Sequence, residues 1–184
     1  MIDGEEKLIK DAIRGEASAF GLLYDHYQPQ IYRFIYLKVN HREEAEDLTH
    51  QVFLNAWQNI EKYNFRGFPF SSWLYRIARN KTIDYYRTKK ENIDLTIITE
   101  EIISIDKNTD EIIDTVLNAE KVKKTIKQLK PSEQEVIILR FIEELSLNET
   151  AKIMGKTVTA VKLIQHRAIK NLHRLLEKEL QIIK

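Results

Sequence analysis

The chain has 184 residues, 43% of them hydrophobic and 31% charged, and a formal net charge of +1, a balance that fits an ordinary globular protein and gives it no general need to be basic. It contains no Cys, which excludes disulfides, thiolate metal sites and Cys nucleophiles and suits a reducing compartment. No apolar run approaches the roughly 20 residues of a membrane span, and the acidic opening MIDGEEKLIKDAIRGE lacks an apolar signal core, so a cytoplasmic protein without membrane insertion is expected.

Five Gly and three Pro favour long helices over a turn-rich β architecture, and helical periodicity runs through most of the chain. The first half predicts helices near 4–14, 17–39, 42–61 and 71–89. In the third, EEAEDLTHQVFLNAW turns Ala45, Leu48, Val52 and Ala56 inward. Glu43, Glu44, Glu46, Asp47, Gln51, Leu54 and Gln58 face out, an acidic strip that repels DNA and could dock a basic protein surface. The loop KYNFRGFPF follows, with Gly67 and Pro69 as breakers.

Residues 70–90, FSSWLYRIARNKTIDYYRTKK, carry six Lys/Arg against Asp84, a net +5, with one Trp and three Tyr. A helical projection puts Trp73, Leu74, Ile77, Ala78 and Tyr85 on an apolar stripe, with Lys81 an awkward member. Arg76, Arg79, Asn80, Arg87 and Lys90 lie opposite, edged by Tyr75 and Tyr86. A solvated basic face needs no exposed rings. Cations that track phosphates, beside rings that stack on unpaired bases at roughly 1–3 kcal/mol each, suit single-stranded or opening DNA.

From Glu91 to Asn118 eight acids oppose Lys107, a net −7, and ENIDLTIITEEIISIDKNTD lacks a helical period, reading as an acidic flexible linker. Beyond it a helix is expected near 110–128, stopped by Pro131. SEQE (Ser132 to Glu135) and SLNE (Ser146 to Glu149) both have the capping-box pattern that opens a helix. The last helix begins near Thr157 or Thr159. Ser146 to Asn171 has the form of a helix-turn-helix, with its turn at Gly155. In the second helix Val161, Ile164, Ala168, Leu172 and Leu175 face inward, and Lys162, His166, Arg167, Lys170, His173 and Arg174 face out, as suits a helix lying in a major groove. The expected fold is all-α: two small helical domains, 1–92 and 116–184, joined by the linker 93–115.

In this order the segments resemble an extracytoplasmic-function (group IV) RNA polymerase sigma factor, from about Ala19 to Leu176. EEAEDLTHQVFLNAW is similar to the family's polymerase-docking helix and FSSWLYRIARNKTIDYYR to its promoter-melting, −10-reading helix. LKPSEQEVIILRFIEELSLNETAKIMGKTVTAVKLIQHRAIKNL is similar to its −35-reading domain. The resemblance implies a dissociable subunit, not an enzyme, that brings core RNA polymerase to promoter DNA and starts strand opening, with an anti-sigma factor as a further partner and no cofactor or metal. Glu46, Asp47, Gln51 and Leu54 would dock the polymerase. Tyr75, Arg76, Arg79, Asn80, Tyr86, Arg87 and Lys90 would engage the −10 region, with Asn64, Phe65, Arg66 and Phe68 holding a flipped base. Lys162, Leu163, His166, Arg167 and Lys170 would face the −35 element.

The chain departs from the family in having His50-Gln51 where Gln-Glu is common, and Leu163, Ile164 and Ile169 where polar or basic residues are frequent. Ile164 falls inward in the projection, and Leu163, facing out, could touch a thymine methyl.

Residues 91–115 extend to about 80 Å at roughly 3.3 Å each, enough to span groove sites two helical turns apart, roughly 70 Å. As a coil they average only about 25–30 Å, so the free chain is expected outside its DNA-competent geometry. Two other functions compete. An all-α, Mg²⁺-dependent nucleotide pyrophosphohydrolase would pair EEAED with ENID, but a basic helix separates them. A dimeric helix-turn-helix regulator of closed duplex explains 146–171 and leaves the Tyr-edged helix and the acidic strip without a role.

Overall fold

The computed structural model describes residues 4–63, 68–93 and 124–182, and for 90–93 and 178–182 the backbone alone. The described residues are helical, without strands. Helix α1 (Glu5–Ile13) leads through Gly15, at φ +94°, into α2 (Ala17–Val39). On α2, Ala19, Leu23, Tyr27, Ile31 and Ile35 recur every fourth residue and are buried, a stripe that faces α1, α3 and α4. Pro29 sits inside this helix but on its exposed side, where the carbonyl that loses its backbone partner can meet water. Asn40 ends α2 in the left-handed conformation (φ 57°), donating its N–H to the Tyr36 carbonyl 2.8 Å away.

Helix α3 (Arg42–Asn59) buries Ala45, Leu48, Val52 and Ala56 as the projection requires, with Thr49 and Phe53 beside them. A 3₁₀ turn (Ile60–Lys62) precedes α4 (Phe70–Ile93). The expected loop falls partly outside the described residues, as do the linker 93–115 and most of the helix expected at 110–128, of which 124–127 is described and helical.

Helix α5 (Pro131–Ile137) begins one residue before the expected SEQE box, and that box does not form. Pro131 occupies the first helical position, where its missing N–H costs nothing, and Lys130 is the N-cap without a side-chain bond. Glu135, which the box would turn back to Ser132, instead pairs with Lys38 and Arg79. A π-turn (Ile138–Ile142) continues α5, closed by the Glu143 N–H on the Ile138 carbonyl at 2.9 Å. Glu144 follows at φ 54°, an uncommon conformation for a side chain without local polar compensation.

The second box is complete: Ser146 Oγ accepts from the Glu149 N–H (3.2 Å) and Glu149 accepts from the Ser146 N–H (2.8 Å), opening α6 (Leu147–Met154). Gly155, at φ +63°, turns the chain. Thr157 Oγ1 then takes the Ala160 N–H, and α7 (Val158–Ile182) begins.

The C-terminal helices pack on the N-terminal ones. Helix α6 lies against α4, and one continuous apolar cluster joins Phe34, Leu74 and Tyr75 to Val136, Leu139, Ile153 and Val161. A smaller cluster, Ile126, Leu129, Ile137 and Ala168, lies between α5 and α7. Helix α4 is therefore covered on two sides, by α2 and α3 and by α6.

Candidate nucleic-acid and polymerase interfaces

Three surfaces carry the residues singled out by sequence. On α7, Lys162, Leu163, His166, Arg167 and Lys170 are all exposed, while Val161 and Ala168 are fully buried and Ile164 and Ile169 pack against the two cores. The capping box of α6 and the left-handed Gly155 hold this face out from the body. Leu163 is 56% exposed, an apolar side chain among cations that can meet a thymine methyl.

On α3, Asp47, Gln51 and Leu54 are exposed along one strip. Glu46 is half-buried, and its carboxylate is held by Arg42 Nε at 2.9 Å, leaving Asp47 as the more open acid. Leu54 stands at the rim of an open apolar groove between α2 and α3, lined by Phe20, Tyr24, His50, Phe53 and Trp57. The projection missed this groove. Its signal was the run of large apolar residues around Leu54, more than one buried stripe can hold.

On α4 the outcome is divided. Arg76, Asn80, Tyr86 and Arg87 are exposed, with Arg87 beside Asp84 at 3.3 Å. Tyr86 is 47% exposed, and its hydroxyl donates to the Lys38 carbonyl; burial of the phenol raises its pKa. Tyr75 is not on the surface. It is 1% exposed, its ring meets Phe34 edge-on at 5.4 Å, and its hydroxyl donates to Glu143 Oε2 at 2.7 Å. A one-stripe projection cannot place a residue on a helix buried on two sides. Burial, with the Glu143 carboxylate second, pushes the Tyr75 phenol far above its ordinary range. Trp73 and Tyr85, expected inside, are half-buried. Lys81 is half-buried too, its Nζ 3.5 Å from Gln51 Oε1. Asn64, Phe65, Arg66 and the Lys90 side chain lie outside the described residues. Phe68 is described, and Lys152 of α6 stands over its ring at 5.4 Å.

Arg79 is largely covered, its Nε 2.8 Å from Glu135 Oε1, a charge contact off the hydrogen-bond axis. Lys38 approaches the same oxygen at 3.4 Å. Burial lowers the Lys38 pKa, and Glu135 opposes that by favouring the charged amine. Arg33 forks onto Glu143 with Nε and a terminal nitrogen at 2.8 and 2.7 Å, a pairing that raises its pKa. Sequence reasoning missed Arg33, Lys38, Glu135 and Glu143. Their local signal was weak: charges inside strongly apolar runs, RFIYLK and EVIILRFIEE. Among the described residues no cluster of His, Asp and Glu could hold a metal ion, and no helix is long and apolar enough to cross a membrane.

Two exposed surfaces of opposite character, an acid-rimmed apolar strip and a cationic helix-turn-helix, stand on a chain whose described residues are helical, and the second places it in the class of helix-turn-helix proteins. Residues 23–91 match Sigma-70 region 2, and residues 125–174 match Sigma-70, region 4. Over 173 residues the chain is 37% identical to the ECF RNA polymerase sigma factor BldN of Streptomyces coelicolor, covering 92% of this chain and 65% of that longer protein. It is 33% identical over 180 residues to the ECF RNA polymerase sigma factor SigW of Bacillus subtilis, covering 93% and 96% of the two chains. Its fold is similar to that of CnrH, solved in complex with the cytosolic domain of CnrY, with a TM-score of 0.74, 24% identity and coverage of 95% and 98%. The chain belongs to the extracytoplasmic-function sigma factors, dissociable subunits that direct core RNA polymerase to promoter DNA.

Proposed function

We propose a division of labour along the chain. The strip Glu46, Asp47, Gln51 and Leu54 docks core polymerase. The −10 region is engaged by Arg76, Arg79, Asn80, Tyr86, Arg87 and Lys90, with Asn64, Phe65, Arg66 and Phe68 as the pocket for a flipped base. Lys162, Leu163, His166, Arg167 and Lys170 read the −35 element. Tyr75 leaves the list of base-stacking rings and becomes the support on which α4 rests. The domains 1–92 and 116–184, joined by the linker 93–115, are the units that separate these tasks. The protein works in the cytoplasm and is not an enzyme. Because CnrH was solved with the cytosolic domain of CnrY, a protein regulator, an anti-sigma factor, is proposed here as well.

The observation that carries this reading is the exposed cationic face of α7 on the same chain as the exposed Asp47–Leu54 strip. One surface repels phosphates and the other attracts them, so they serve different partners. The test is capture of core polymerase by the tagged chain, followed by transcription from a promoter library and permanganate mapping of unpaired thymines. Selective transcription with opening near −10 supports the reading. A chain that core polymerase ignores, and that binds a palindrome as a dimer instead, overturns it in favour of a duplex-binding regulator.

A further inference from the structure

Arg140, on the π-turn, reaches both arms of the helix-turn-helix. Its Nε donates to Gln165 Oε1 on α7 at 3.3 Å, and a terminal nitrogen donates to the carbonyl of Leu145, the residue before the Ser146 cap of α6. The Leu145 N–H donates to the Leu139 carbonyl at 2.9 Å, so both backbone groups of Leu145 are tied to the stretch that carries Arg140. Both acceptors of the guanidinium are uncharged, so these bonds fix direction and neutralise nothing. Gln165 lies among the −35 residues in sequence, yet it is half-buried where Lys162, Leu163, His166 and Arg167 are exposed.

Helix α7 is seated mainly by apolar contacts: Val161 and Ala168 are fully buried, and Ile164 and Ile169 are packed against the same cores. Apolar burial is non-directional and leaves small tilts open. Asn171 donates to both Glu133 carboxylate oxygens at 3.1 Å and pins the helix just past Lys170. At 1.5 Å per residue Lys162 lies about 13 Å from that pin, so a tilt of roughly 10° moves it about 2 Å. A hydrogen bond to a base edge does not survive that displacement.

We propose that Arg140 and Gln165 are positioning residues for −35 reading. The bracket from the π-turn to Leu145 and Gln165 sets the tilt of α7 against α6, and with it the base edges that Lys162, His166 and Lys170 reach. Gln165 thus acts through Arg140 and not on a base. An ionised donor makes the stronger kind of hydrogen bond, and one planar fork on two arms defines an angle that apolar packing leaves loose. This rests on the −35 role proposed for α7.

The test is transcription by core polymerase carrying the full chain, from promoters that differ by single base pairs in the −35 element. Discrimination is the ratio of transcription from the preferred −35 sequence to that from its single substitutions. Gln165→Leu keeps the size and removes the acceptor, while Arg140→Lys keeps the charge and removes the fork. Each should lower discrimination by about tenfold, the scale of one mismatched base pair. The double variant should do no worse than either alone, because both remove one tie. Gln165→Glu retains an acceptor and should discriminate like the parent. The salt slope of promoter binding should not change, and far-UV circular dichroism should show the helices intact. Full discrimination in Gln165→Leu overturns the bracket, as does a Gln165→Glu variant no better than Gln165→Leu. Additive losses overturn it by making Gln165 an independent base contact. A shallower salt slope in Arg140→Lys alone overturns it by making Arg140 a phosphate contact. The parent chain separates the two levels: one indifferent to the −35 sequence sinks the reading of α7 itself and the bracket with it, whereas a discriminating parent with unaltered variants sinks only the bracket.

Discussion

Truncating Tyr75 to alanine separates support of the −10 helix from contact with DNA. The side chain is 1% exposed, packs edge-on against Phe34 and fills the space where α2, α4 and the C-terminal half meet. Removing a fully buried ring costs about 3–5 kcal/mol through lost contacts and the cavity left behind. At roughly 2–4 °C per kcal/mol for a chain of this size, the melting temperature should fall on the order of 10 °C. Tyr75→Phe keeps the ring and loses only the 2.7 Å bond to Glu143, worth about 1.5–3 kcal/mol as a bond to a charged acceptor. That smaller loss falls on the packing between the halves. The assay is thermal unfolding by circular dichroism beside permanganate mapping of a promoter complex, for both variants. If Tyr75→Ala melts with the parent chain yet cannot open the promoter, the ring touches DNA and the reasoning from burial is wrong.

Ser146→Ala should cost about 1 kcal/mol, because Ser146 Oγ satisfies the Glu149 N–H at the start of α6. A urea midpoint that moves at constant slope would show it, and a midpoint that does not move would mean the box adds nothing. Alkaline titration should expose the buried phenols. Burial, and then Glu5, raise the Tyr63 pKa from 10.0 to about 12. The folded state therefore holds a proton that the unfolded chain releases, so this contribution is intact below about pH 10 and is lost as pH rises through about 12. Tyrosinate absorbance followed with far-UV dichroism should show Tyr63, identified by Tyr63→Phe, ionising late; ionisation near 10 in a folded chain would contradict its burial.

Elements whose partners lie within their own half were legible from residue spacing. The inward stripes Ala45, Leu48, Val52, Ala56 and Val161, Ile164, Ala168 were readable because each helix packs mainly on one side. SLNE was readable because both capping partners lie within four residues. SEQE has the same letters, but Pro131 moves the helix start and Glu135 is drawn to cations 97 and 56 positions earlier in the chain. Tyr75 was misplaced for the same reason, since the surface covering it comes from α6 and the π-turn. Arg79, expected on the open face of its helix, is covered by Glu135, and that acid was invisible because no periodicity within one helix encodes contact between halves.

Lys38 carries a practical consequence. Its ammonium lies 5.1 Å from the centre of the Phe34 ring and within reach of Glu135, its side chain is only 10% exposed, and its carbonyl receives the Tyr86 hydroxyl. An amine so shielded should react far more slowly with acylating reagents than a lysine on the open surface. The chain thus carries its own comparison: the acyl mass at Lys38, set against the exposed Lys162 and Lys170 of the same molecule, reports how completely the C-terminal half covers it.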